Sequence, residues 1–133
     1  MKEPGWFDRT DCLAIHEAML AQHGGLAGVR DENMLESALA KPQHNFAYGK
    51  PDMPDLAAAY AAGIVLNHPF IDGNKRTGFM TAMAFLEFNG LEFTATEVDA
   101  VLQTLALAAG ALDEAGYAAW LRQNSRRPRR ARH

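Results

Sequence analysis

The sequence predicts an all-α fold of about six helices, and three observations predict it. Apolar residues recur at helical spacing through most of the 133 residues. The segments with that period are separated by Gly, Pro and Asx signals of helix ends rather than by hairpin turns. Hydrophobic residues make up 48% of the chain, enough for one core in a domain of this length.

Residues 11–23 carry Cys12, Ile15, Met19 and Leu20 on one side, and Gly24 and Gly25 stop them. Cys12 is the single cysteine, so it has no internal disulfide partner and reads as a small core residue. His16, one turn away, reads as a structural helix residue, since His16, His23 and His44 are too dispersed for a metal site. Residues 31–41 present Met34, Leu35, Ala38 and Leu39, and this second helix is expected to stop before Pro42. A loop rich in turn residues is expected over 42–54. The Ala-rich helix at 55–67 has few polar positions and should be buried.

A fourth helix is expected over 74–89, apolar on most of its surface and ended by Gly90. It should form the central pair with the Ala-rich helix. Leu91 to Phe93 suit a short extended piece, but nothing supports a full sheet. Thr96, Glu97, Val98 and Asp99 resemble a capping box before a helix to residue 109, and Asp113 caps a last one through residue 123. There is no internal repeat.

Charge divides the chain unevenly. Residues 1–125 hold eight Lys and Arg against all sixteen Asp and Glu, a net charge of −8, whereas Arg126, Arg127, Arg129, Arg130 and Arg132 crowd the end. The expected organisation is one domain over 1–125 and a basic tail over 126–133, whose like charges without apolar anchors predict disorder. The tail argues only weakly for RNA or another acidic partner, and direct nucleic-acid binding is not expected. No apolar run is long enough to span a membrane and residues 1–7 lack a signal-peptide core, so a soluble cytoplasmic protein is expected.

The two central helices are joined by His68-Pro69-Phe70-Ile71-Asp72-Gly73-Asn74-Lys75-Arg76-Thr77-Gly78. Gly73 and Asn74 let the backbone turn sharply and open the next helix with its N–H groups free. Lys75 and Arg76 in a first helical turn are unfavourable on dipole grounds unless an anion compensates them, and phosphate is the obvious one. Arg76 offers a planar fork, Lys75 a point charge, and Asp72 a hard oxygen ligand for Mg²⁺. His68, four residues earlier, is suited to take a proton from an attacking hydroxyl. The implied chemistry is transfer of part of a nucleotide to an alcohol. Phe70, between Pro69 and Ile71, reads as an apolar anchor for the loop.

This stretch resembles the Fic/Doc family signature H-x-F-x-[DE]-[GA]-N-x-R. Its adenylylating members usually read H-P-F-x-x-G-N-G-R-x-x-R; Lys75 here replaces the second glycine of that pattern and Phe79 its second arginine. Both departures look like the Doc branch, as do Ile15-His16, Gly24-Gly25-Leu26, Phe85-Leu86 and Asn89-Gly90. The resemblance implies a compact Fic/Doc-type helical bundle with the active-site loop between two central helices.

It also implies a toxin of a toxin-antitoxin module that moves the γ-phosphate of ATP to a Thr or Ser hydroxyl of an elongation factor Tu-like protein, stopping translation. In that reading His68 is the base, Asp72 is catalytic in holding Mg²⁺ and helping to orient the reacting groups, Arg76 is catalytic, and Gly73, Asn74, Lys75, Arg76 and Thr77 bind nucleotide phosphates. Phe46, Tyr48 and Lys50 in the 42–54 loop would dock the target. An antitoxin of Phd type is implied as partner, because no Ser or Thr is followed at the spacing of the inhibitory [ST]-x-x-x-E-[GN] motif of self-restrained Fic proteins. Two alternatives stay open. One is an adenylyltransferase, since Pro69 and Gly73 match that branch, and the other is a catalytically idle binding module. A phosphate-loop kinase is excluded by the lack of G-x-x-x-x-G-K-[ST].

Overall fold

The computed structural model describes residues 1–128. Six helices and two very short strands follow in the order α1 (Arg9–His23), α2 (Glu32–Tyr48), α3 (Met53–Asn67), α4 (Asn74–Phe88), β1 (Glu92–Phe93), α5 (Glu97–Ala109), α6 (Glu114–Gln123) and β2 (Ser125–Arg126). Asp8 and Asp11 form a reciprocal capping box that starts α1 two residues before the expected position, and Asp52 and Asp55 do the same for α3. Asp31, Thr96 and Asp113 each accept the backbone N–H three residues on.

α3 is the axis of the molecule. Leu56 through Val65 are buried, and the helix packs against α2, α4 and α6. Small residues set how closely. A Cβ on Gly63 would lie 2.9 Å from the Ala38 Cβ of α2, and one on Gly78 of α4 would lie 2.6 Å from Val65 Cγ2 and 3.2 Å from the Ala61 carbonyl oxygen. Gly78→Ala is therefore expected to destabilise the protein by about 1–3 kcal/mol, outweighing the roughly 1 kcal/mol that alanine gains over glycine inside a helix. A urea midpoint at or above the wild-type value would refute this close-packing account.

Trp6 stacks on Phe85 with ring centroids 6.0 Å apart and meets Phe46 edge-on at 5.6 Å, while Tyr60 lies 5.0 Å from Phe85. These rings close the core at the end where α3 begins. Across the same end, Arg122 of α6 makes forked bonds to Asp52, at 2.7 and 3.0 Å, and a further one to Asp55 at 2.8 Å. Among the described residues no helix is long and apolar enough to cross a membrane.

Two expectations need correction. α2 does not stop before Pro42: it runs through that buried proline to Tyr48, so the connection to α3 is only residues 49–52. Proline denies the Ala38 carbonyl its helical partner, but the helix continues because Leu35, Ala38, Leu39 and Pro42 stay buried, with Phe46 packed against the core. Residues 92–93 do form a strand, and its partner is the start of the supposed tail: Glu92 pairs with Arg126 and Phe93 with Ser125. Arg126 also forms an ion pair with Glu92 at 3.2 Å, so composition alone assigned it wrongly. Of the other tail arginines, Arg129, Arg130 and Arg132 lie outside the described residues.

Candidate active site

α3 ends where its chain turns left-handed at His68, with φ 50° and ψ 56°, the one non-glycine residue of positive φ among the described residues. The six residues from His68 to Gly73 then reverse the chain into α4, and Gly73 at φ 77° opens that helix without any side-chain cap. Thr77 makes the first helical bond, its N–H donating to the Gly73 carbonyl at 3.0 Å. The amides of Asn74, Lys75 and Arg76 are thus left without helical acceptors at a positive dipole end.

Phe70 anchors the loop. It is fully buried and its ring lies parallel to His16 of α1, centroids 3.9 Å apart. Asn74 closes the loop over it, accepting the Phe70 N–H and donating to the Phe70 carbonyl, both at 3.0 Å. The same amide lies 3.5 Å from His68 Nδ1. Asn74 therefore shapes the loop with its side chain and has only its backbone N–H to offer an anion.

Asp72 is held from three sides. Its carboxylate accepts the backbone N–H groups of Leu26, at 3.1 Å, and Gly73, at 2.9 Å, and its carbonyl accepts from His16 Nε2 at 2.8 Å. A carbonyl only accepts, so His16 Nε2 carries a proton. Gly25 lies so close that a Cβ there would come within 2.9 Å of Asp72 Oδ2. The amides of Leu26 and Gly73, helped by the positive charge of Arg76, hold the carboxyl below the ordinary aspartate range.

A depressed folded-state pKa means the contact is fully present above the unfolded value and is lost as pH falls through the folded one. The Leu26 and Gly73 amide proton resonances are thus expected to titrate together with a midpoint below about 3.9, the ordinary aspartate value. A midpoint at or above that value would contradict the hydrogen-bonding geometry.

Residues 24–30 cover the loop from outside. The Ile71 N–H donates to the Gly28 carbonyl at 3.1 Å, Val29 bridges Phe70 in antiparallel fashion, and Arg30 and Asp31 both donate backbone N–H groups to the Pro69 carbonyl. Arg30 also donates from Nε to the His68 carbonyl at 2.6 Å and from Nη2 to the Asn67 carbonyl at 2.9 Å.

The fold thus brings His68, Asp72, Gly73, Asn74, Lys75 and Arg76 together at one helix start. His68, Asp72, Lys75 and Arg76 are exposed, and Lys75 and Arg76 form no ion pair among the described residues. Thr77 does not join them: it is fully buried with an unpaired hydroxyl, because its position in the first turn faces the core. Phe46, Tyr48 and Lys50 are not beside the site either. The short connection makes α2 and α3 an antiparallel hairpin, leaving those residues at the start of α3, about 22 Å of helix from His68.

Two contributors went unread in the sequence as parts of the site. His16 was read as a structural helix residue and as part of the Ile15-His16 resemblance, without a place at the site, and Arg30 carried no signal at all. Cys12 is buried beside α4, and burial pushes its thiol up to about 11, which suits a packing role rather than a nucleophilic one.

No three metal-ligating side chains cluster among the described residues. Asp72 stands alone as a carboxylate at the helix start. That donor set fits Mg²⁺ carried on a polyphosphate, which needs one or two protein carboxylates, and not a metal held by protein alone.

The model of the Fic/DOC family matches residues 6–86. The protein named "Toxin Doc" of Mycolicibacterium smegmatis is 39% identical over 93 residues, covering 68% of each chain. "Protein kinase doc" of Escherichia phage P1 is 32% identical over 83 residues, which are 62% of this chain and 66%, just under two thirds, of the phage protein. With the helical architecture, the loop between α3 and α4 and more than half its length matched, the chain belongs to the Fic/Doc family.

Proposed function

We propose that this protein is a Doc-type toxin that transfers the γ-phosphate of ATP to a Thr or Ser hydroxyl of a translation factor of the elongation factor Tu kind. The observation that carries the reading is the start of α4: three unbonded amides, two unpaired cations and an ionised Asp72 converge beside an exposed imidazole. The names of the two relatives, one a kinase and one a toxin, support it.

Phosphoryl transfer asks mainly for positioning and charge stabilisation. The backbone N–H groups of Asn74, Lys75 and Arg76 and the two cationic side chains would hold phosphate oxygens. Asp72 would hold Mg²⁺, which when bound neutralises phosphate charge. His68 accepts the proton of the target hydroxyl as its oxygen bonds to the γ-phosphorus. The bond from that phosphorus to the bridging oxygen breaks, ADP leaves, and the His68 proton passes to solvent. Lys75 occupies the place of a glycine in the adenylylating pattern, which adds bulk and charge and favours the γ-phosphate over the α-phosphate at His68. The remaining parts of the reading are a cytoplasmic site of action and an antitoxin of Phd type as partner.

The test is incubation of the purified protein with elongation factor Tu, Mg²⁺ and ATP, followed by the intact mass of the target. A phosphate increment that is absent with His68→Ala supports the kinase. An AMP increment replaces it with adenylylation, and no increment with that target or with whole-cell extract leaves an idle binding module.

A further inference from the structure

From its bonds to the backbone of the catalytic loop, we infer that Arg30 is the positioning residue for His68. This inference rests on the proposed function. His68 is in a backbone conformation that an L-residue adopts only where its surroundings impose it. Its own side chain does little to impose it, since the imidazole has a single polar contact, a long one of 3.5 Å to Asn74. Beyond the bond from the His68 N–H to the Ile64 carbonyl at 3.3 Å, the constraint comes from residue 30. The guanidinium forks onto two successive carbonyls, those of Asn67 and His68, at 2.9 and 2.6 Å. The Arg30 amide meanwhile donates to the next carbonyl, Pro69, at 2.7 Å. Three consecutive peptide oxygens around the imidazole-bearing residue are thus gripped by one arginine.

The chemistry suits the place. The last carbonyls of α3 have no helical donors and face a negative dipole end, where a cation is favoured. A guanidinium can reach two of them in one plane, whereas a lysine ammonium has no such fixed fork. Arg30 also stands immediately before Asp31, the N-cap of α2, so it ties the start of α2 and the segment covering the loop to the end of α3. No reacting atom needs to touch Arg30 for this to matter, because displacement of a catalytic group by about 1 Å can cost on the order of a hundredfold in rate.

Arg30→Ala is expected to lower kcat about tenfold to a hundredfold with little change in the KM for ATP, rates being normalised to folded protein by circular dichroism. Arg30→Lys should fall between it and wild type, and added guanidinium ion should restore part of the Arg30→Ala rate. Unchanged kcat, a loss confined to KM, or no recovery with guanidinium would each overturn the assignment. Amide hydrogen exchange gives a readout independent of transfer: Arg30→Ala should lose protection at His68 and Ile71 while α6 keeps its own. Unchanged protection there overturns the inference even if the enzyme is active. A wild-type protein that transfers nothing overturns the proposed function alone, and Arg30 is then judged by the exchange data.

Discussion

His68→Ala is expected to lower transfer to the target by about 10²–10⁴-fold, the range typical of a removed general base, while the protein keeps its fold. The two halves of that result have separate causes. His68 lies just beyond the last residue of α3, the residue is exposed, and its ring contributes one polar contact of 3.5 Å, so the core does not depend on it. Its backbone is held by Arg30 through carbonyls that any residue supplies. Because position 68 is left-handed, His68→Asn is the better structural control, asparagine tolerating that conformation more readily than alanine. Both variants should show wild-type circular dichroism and negligible rate. A variant that transfers at the wild-type rate would remove His68 from the chemistry, and a melted one would reassign it to structure.

Arg76→Ala is expected to cost about 10²–10³-fold in kcat, a loss of the size seen when one preorganised donor to developing charge is removed. Arg76 sits in the first turn of α4, where a cation is disfavoured by the helix dipole and is offset only by the neighbouring Asp72 and by a bound anion. The apo protein should therefore be no less stable after the substitution, and its thermal midpoint should hold or rise slightly. Arg76→Lys should recover part of the rate, having the charge without the fork. If Arg76→Ala only raises the KM for ATP at constant kcat, the residue binds ground state and transition state equally, and its catalytic role falls.

Much of this molecule was legible in the residues because the signals were local. The six helices follow from apolar period, Asx caps and glycine stops, each readable within a few positions. The helix start at Gly73 and Asn74, with its cations, was readable for the same reason: a turn, free amides and charge lie within four residues. Pro42 misled because its local cost was outweighed by burial along α2, which no short window contains. That one misreading also lengthened the following loop, to which the resemblance assigned the docking residues Phe46, Tyr48 and Lys50, and the hairpin sets them at the far end of α3 from the site. Thr77 misled differently. A residue in the first turn of a helix faces either the ligand or the core, and only the packing of α4 on its neighbours selects the core.

By itself, then, the sequence determined the family, the helices and the set of chemical groups at the turn, since each is written in residues close together along the chain. Tertiary structure alone decided how those groups are held. His16 reaches the Asp72 carbonyl across 56 positions, and Arg30 reaches the His68 carbonyl across 38. Both contacts end on backbone oxygens, which every residue presents alike, so no pattern of side chains announces them. They form only because the packing of α1, α3 and α4 and the start of α2 bring distant segments within hydrogen-bond reach.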